Sequence, residues 1–495
     1  MKKLTALLLS LVLLLTAFSA FAESEAKWEG PVEKIVMAWN TPGVDNAYLD
    51  QVAQVINDYI RDKIGVEVSF RQVSVFESAS AYTRWIAGGG EGVDLITIAF
   101  VPTTTFITMN MIQPLDDYLA QAPHIVALAE EGVPIYDPNS TGYVYALSSV
   151  SQPSTGTTAG MWFFEDALKE AGFDYEDGQI VSLDQIDEAV RGVKAKYPNA
   201  YVGLYGSAPR GDFATIVDPL GASYSSGALI GDLETTEVVD LFESDAYQKY
   251  LRITRGWYLD GIVLKDAATT DATDAGSMLS DPDNCLMMWN SGDINLRSSY
   301  ESQTGKKIVC LYTSVIYSRA ISNTGAFTAI PVTAQHSEAA MRFMDMLYYD
   351  EFVYNTIMKG IEGLNYVFTN EERNATQEIA ENHYYAMGLI GNQGLLWQYG
   401  EYDAELEAAY EAWAQEGLSN PTKGVGFCYD ATNMTYQITA IDAVLAEYRA
   451  ALETGSVDID KVYPEFINKL KMNGIDQVIA DKQGQFNEWL KNKGE

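Results

Sequence analysis

Along the first hundred residues the apolar positions switch between two spacings, and the switch predicts a β-α-β-α-β start. Residues 32–39, which include Ile35, Val36, Met37, Ala38 and Trp39, form one mainly apolar run and read as a buried strand. Pro42 and Gly43 mark a loop. Leu49, Val52, Ala53, Ile56 and Ile60 then recur at helical spacing. Val66, Val68 and Phe70 alternate with Glu67, Ser69 and Arg71, which predicts a second strand. Tyr82–Ala87 reads as a helix stopped by Gly88-Gly89-Gly90, and Asp94–Ala99 as a third strand. Strands alternating with helices point to an open parallel α/β sheet.

A second α/β pattern follows the apolar stretch Tyr143–Leu147. The Ser/Thr/Gly/Pro-rich segment 148–160 reads as a crossing, with helices expected at 162–172 and at 183–196, the latter capped by Ser182. Strand-like runs are expected at 201–205, 285–289, 307–311 and 325–330. A helix is expected from Ser337, carrying Ala340, Phe343, Met344 and Leu347 on one side. The tail is helical: Ile438, Ile441, Leu445, Tyr448 and Leu452 share a face, and Ile475, Val478, Ile479, Phe486, Trp489 and Leu490 mark the last stretch. There is no internal repeat.

The N-terminus changes the picture. Lys2 and Lys3 precede an apolar run from Leu4 to Phe18, and Ala20-Phe21-Ala22 supplies small residues for a cut before Glu23. This is the pattern of a cleavable secretory leader over 1–22, too short for a comfortable membrane span. Cys285, Cys310 and Cys428 all lie far from the cut, so no lipid anchor is expected. Losing Lys2 and Lys3 deepens the net charge from −36 to −38, which disfavours nucleic acid and anionic membrane as partners. Three cysteines in 495 residues are not a disulfide framework, and Cys285 and Cys310 are either a pair or two buried thiols. His124, His336 and His383 are far apart, with no spacing that suggests a metal, so no cofactor or metal is expected. A mature chain of this length exceeds what one core usually supports.

Several segments resemble the extracellular solute-binding proteins of ABC sugar importers, in the branch with an additional C-terminal domain of unknown function. They are the strand-then-helix block from Ile321 to Tyr348, the Gly360-Ile-Glu-Gly-Leu-Asn-Tyr366 signature, Gly391-Asn-Gln-Gly394 and Gly426–Asp430. Leu452–Asp458, Phe466–Ile475 and Gln483–Trp489 resemble the C-terminal domain. The resemblance implies an α/β, two-lobed, periplasmic-binding-protein-like clamshell with a helical C-terminal extension. It implies an N-terminal lobe of 31–148 and 285–315 and a second lobe of 149–284 and 316–400. The extension, 401–495, would pack on the second lobe. Crossings are expected near 148–160, 280 and 315. The implied function is capture of a carbohydrate, an oligosaccharide, and its delivery to a membrane permease by a monomer, without catalysis.

Open α/β sheets bind ligands at the carboxyl ends of their strands, and this rule selects the candidate site residues. Trp39-Asn40 and Trp289-Asn290 end predicted strands, and each Trp either stacks on a sugar or packs in a core. Asp45 either contacts ligand or caps the helix that follows. Phe100 and Thr103 follow the third strand; Tyr205 and Arg210 flank a turn; Trp162 follows the crossing segment. Glu362, between two glycines, is either a backbone anchor or a contact, and Trp397 follows the Gly391-Asn-Gln-Gly394 signature. A secreted glycosidase is the enzymatic alternative, but with so many carboxylates a chance Asp/Glu pair carries no information, and no nucleophile elbow or zinc-protease motif is present. A binding protein for a peptide or other solute is the third class; such sites lean on charged groups, whereas these loops are aromatic and amide-rich.

Overall fold

The computed structural model describes residues 27–494, apart from 42, 44, 45, 90, 91, 138, 140, 151–155, 207–210, 271–277, 279, 280, 293, 295, 296, 298, 299, 302, 303, 321–324 and 385. The leader at 1–22 lies outside the described residues, as do Asp45 and Arg210. In chain order the first segment runs β1 (Glu33–Thr41), α1 (Leu49–Ile64), β2 (Val66–Ser74), α2 (Ser78–Ala87), β3 (Ile96–Ala99), α3 (Thr103–Thr108), α4 (Pro123–Glu130) and β4 (Ala146–Ser148). The second runs β5 (Ala159–Phe164), α5 (Glu165–Glu170), α6 (Leu183–Lys196), β6 (Tyr201–Gly203), β7 (Val217–Asp218), β8 (Leu229–Ile230), α7 (Asp245–Leu259), β9 (Cys285–Ser291) and β10 (Ile308–Tyr312). The third runs β11 (Ala326–Ala329), α8 (Ser337–Tyr349), α9 (Glu351–Lys359), β12 (Tyr366–Phe368), β13 (Ala375–Glu378) and β14 (Gln398–Tyr399). Four helices end the chain: α10 (Ala404–Ser419), α11 (Thr435–Glu453), α12 (Ile459–Met472) and α13 (Ile475–Lys493).

Local signals explain most of these elements. Helix α1 buries the five residues whose spacing predicts it, and Gly65, in the left-handed region at φ 67°, ends it one residue before β2. Ser182 and Gln185 form a reciprocal capping box at the start of α6. The helix expected at 162–172 is different: Ala159–Phe164 is a fully buried strand, and only Glu165–Glu170 is helical. The reason is Gly160, where a Cβ would come within 1.9 Å of the Leu311 carbonyl oxygen; only a glycine lets β5 approach β10 that closely.

Two sheets form two cores. In the first, β1 and β2 are parallel from Glu33↔Val66 to Thr41↔Ser74, and β3 joins β1 through the Met37↔Leu95 bridge. β11 lies antiparallel between β3 and β4. The second sheet has the order β10-β5-β9-β6, with β5 antiparallel to both neighbours and β6 parallel to β9. Helices α8 and α9 pack on the first core. Helices α11 to α13 complete the second core, where Phe466 meets Phe242 at 5.4 Å and Lys482 donates to the carbonyls of Pro219 and Gly227.

This pairing corrects the expected segment assignment. Residues 285–315 belong with β5 and the second core, and β11 to β14 belong to the first body, the reverse of the expectation. The chain therefore crosses between bodies at 149–158, at 313–325 and after Tyr399, not near 280, where Ile262, Val263, Ala267 and Met278 stay within the second core. The three cysteines are free and buried. Cys285 and Cys310 lie on β9 and β10 with β5 between them, roughly 10 Å apart at ordinary strand spacing, beyond disulfide reach.

Candidate functional site

The strand registers decide which ends of the two sheets meet. In the first body, Thr41, Ser74 and Ala99 end parallel strands, and Ala326 and Ser148 lie on the same edge because β11 pairs antiparallel with both β3 and β4. In the second body, Ala159 lies opposite Ser291 and Gly160 opposite Tyr312, while β6 ends at Gly203 opposite Met288. Two crossings, Ser148 to Ala159 and Tyr312 to Ala326, join these edges directly. They also bridge each other at Thr157↔Tyr317. The carboxyl ends of both sheets therefore lie at the two crossings, and such strand ends are where α/β sheets bind ligands.

The lip of the first body carries two exposed rings. Phe100, the residue after β3, is 64% exposed and holds φ at 62°, a left-handed conformation that a non-glycine residue rarely adopts. Phe76 follows β2 and is 82% exposed. The loop between β1 and α1 is clamped on this edge by Gln72, which accepts from the Asn46 amide at 2.6 Å and donates to its carbonyl at 3.1 Å. Thr103 begins α3, fully buried beside Asp137; burial raises the Asp137 carboxyl above its usual range although the Tyr145 and Ala146 amides donate to it.

Of the sequence-selected residues, Phe100 is exposed just past the end of β3, and most of the others are buried. Trp39 is 2% exposed, edge-on to Phe70 at 5.6 Å, with no partner for its Nε1 among the described residues. Asn40 bonds within the body: it donates to the Thr97 carbonyl and accepts from Tyr82, whose hydroxyl burial keeps protonated. Trp162 is buried in β5 and donates to the Ser291 carbonyl at 3.0 Å. Trp289 is buried against Tyr250, Asn290 accepts from the Ser291 amide, and Tyr205 is buried after β6. Trp39, Trp162 and Trp289 lie on strands flanked on both sides, and their rings pack in the body cores. Glu362 is an exposed anchor held by both terminal nitrogens of Arg373, and Trp397 packs on Phe368 and Tyr366 beside Asn355. Phe76, exposed after β2, was not selected from the sequence, although the strand-end rule that selects Phe100 applies equally to it.

Each histidine pairs with a carboxylate: His124 with the buried Asp345, His336 with Glu33, and His383 with Glu378. Among the described residues no group of three or more His, Cys, Asp or Glu side chains is placed to hold a metal, and no helix is long and apolar enough to cross a membrane.

The crystal structure of the N-glycan transport solute binding protein NgtS from Streptococcus pneumoniae matches this architecture with a TM-score of 0.76. The match spans 94% of this chain and all of that one, at 19% identity. The chain has the fold of a solute-binding protein. An HMO-binding, ABC-transporter-associated solute-binding protein of Bifidobacterium longum infantis shares the fold at a TM-score of 0.64 and 16% identity, over 93% of this chain and 99% of that one. In sequence, a carbohydrate ABC transporter substrate-binding protein of Streptococcus pneumoniae is 23% identical over 491 residues, 94% of this chain and 92% of that protein. Residues 423–491, which include α11, α12 and all but the last two residues of α13, match DUF3502, a domain of unknown function.

Proposed function

We propose that this chain is the substrate-binding component of an ABC importer and captures an oligosaccharide in the cleft between its two bodies. The observation that carries the reading is Phe100, an exposed aromatic ring at a strained backbone position on the edge that the two crossings join. Sugars present flat C–H faces to such rings, and Phe76 extends the same lip. The names of the relatives point to the same ligand class. The protein does no chemistry on its ligand. Closure about the crossings buries the sugar and presents it to a permease, with the protein acting as an exported monomer at the outer face of the membrane. Asn40, Thr103, Trp39, Trp162, Tyr205, Trp289 and Asn290 stand behind the lips and set their shape, while Asp45 and Arg210 remain candidate contacts.

Thermal unfolding against a panel tests the reading. The panel holds neutral oligosaccharides from disaccharides up to Man5GlcNAc, their sialylated congeners, and short peptides. A ligand at a hundredfold excess over its Kd stabilises the native state by about 2.7 kcal/mol. Neutral glycans should raise Tm and be recovered intact. Peptides that raise Tm while glycans do not would sink the carbohydrate reading, and cleaved glycans would sink the non-catalytic one.

A further inference from the structure

A cavity of about 300 Å³ opens between helix α11 and the loops leaving the second sheet, lined among others by Gly206, Tyr224, Asp442, Leu445, Ala446 and Arg449. Two observations put it on the cleft side. Gly206 lies three residues beyond the end of β6, on the edge that faces the first body, and a Cβ there would come within 2.3 Å of the Ala268 carbonyl oxygen and 2.9 Å of the Ala450 Cβ. Glycine thus lets α11 dock against the lip. Tyr224, on the opposite wall, is in side-chain hydrogen-bond contact with Arg319, within the second crossing.

The cavity wall is built rather than incidental. Arg449 Nε donates to Glu453 Oε1 at 2.6 Å, and the Glu453 side chain is 1% exposed. Glu453 also accepts from the Tyr247 hydroxyl at 2.9 Å and the Gly211 amide at 2.7 Å. Side chains held this way need little reordering when a ligand arrives. Arg449 is neutralised by Glu453, so Asp442 leaves the cavity with an excess of negative charge, within a chain of net charge −36. Ligand pockets run from about 300 to 1,000 Å³, so this one suits a sugar ring or two rather than a whole oligosaccharide. Its lining pairs an apolar wall, Leu445 and the Tyr224 ring, with carboxylate, guanidinium and hydroxyl groups, the mixture a hydroxyl-bearing ring requires.

We propose that α11, from the C-terminal region, closes a subsite for an uncharged sugar residue at one end of the bound oligosaccharide. The proposal rests on the carbohydrate reading above. It gives the C-terminal helices a part in recognition as well as in packing, and it excludes sialic and uronic acids at that position.

Calorimetric titration of the same panel tests it with two variants. Ala446 is exposed, so Ala446→Trp fills the cavity without disturbing the core; it should lower affinity for the best neutral glycan by about tenfold and leave Tm without ligand unchanged. Asp442→Asn should narrow the preference for a neutral glycan over its sialylated congener. If Ala446→Trp binds every glycan within twofold of the parent while Phe100→Ala loses affinity, the subsite is wrong and the cleft stands. If the parent protein binds no glycan, both readings fall.

Discussion

Replacing Phe100 with glycine should make the protein more stable and worse at binding, and the two signs together test the reading of the lip. Phe100 holds φ at 62°. That conformation costs an L-residue about 1–2 kcal/mol, whereas glycine adopts it freely. Glycine also gives the unfolded chain more freedom, which returns about 0.5–1 kcal/mol. The net expectation is a gain of about 0.5 kcal/mol. The affinity term is larger. A phenylalanine carries about 200 Å² of surface, and 64% of it is exposed here. One sugar face covers about half of that exposed part, on the order of 65 Å², worth roughly 1.6 kcal/mol at about 25 cal/mol per Å². Phe100→Gly should therefore weaken glycan binding about 15-fold. Phe100→Ala keeps the strain and loses the ring, so it should match the affinity loss without the stability gain. Denaturant unfolding and calorimetric titration of both variants give the two numbers. A glycine variant less stable than the alanine variant, or one that binds like the parent, refutes the argument.

Lys359 ends α9 with a 5% exposed side chain and an Nζ that lacks a hydrogen-bond partner among the described residues, 3.3 Å from the Tyr399 ring centroid. Burial lowers its pKa from 10.5 to about 7, a penalty of up to about 5 kcal/mol, partly offset by about 2 kcal/mol of cation–π attraction. Lys359→Met should stabilise the protein by about 1–3 kcal/mol at pH 7. The sign follows from linkage: the penalty is full below the folded pKa, shrinks as pH rises from about 7 toward 10.5, and vanishes above the unfolded value. Unfolding curves of parent and variant across that range should therefore converge, and a constant difference would be evidence against a buried charge. Glu362→Gln breaks an exposed pair with Arg373; it should leave stability nearly unchanged, because such surface pairs contribute little, and leave glycan affinity unchanged in titration, whereas a tenfold loss would make Glu362 a ligand contact.

What the sequence determined by itself was local. The helical spacing of Leu49, Val52, Ala53, Ile56 and Ile60, the Ser182 cap and the buried apolar runs each name an element, because period and capping chemistry are properties of a few adjacent residues. The rule that ligands meet strand ends selects Phe100, which follows β3 and is exposed. The tertiary structure decided the rest. A buried apolar strand reads the same in either sheet, so only the pairing of β9 with β5 and of β11 with β3 could assign 285–291 and 326–329 to their bodies. Likewise an aromatic at a strand end is the same residue whether it faces the core or the solvent. Trp39 and Trp289 are buried because they lie within strands covered by their neighbours, while Phe100, just past the end of β3, stays exposed. Burial is a sum over partners distant in the chain, and no local pattern carries it.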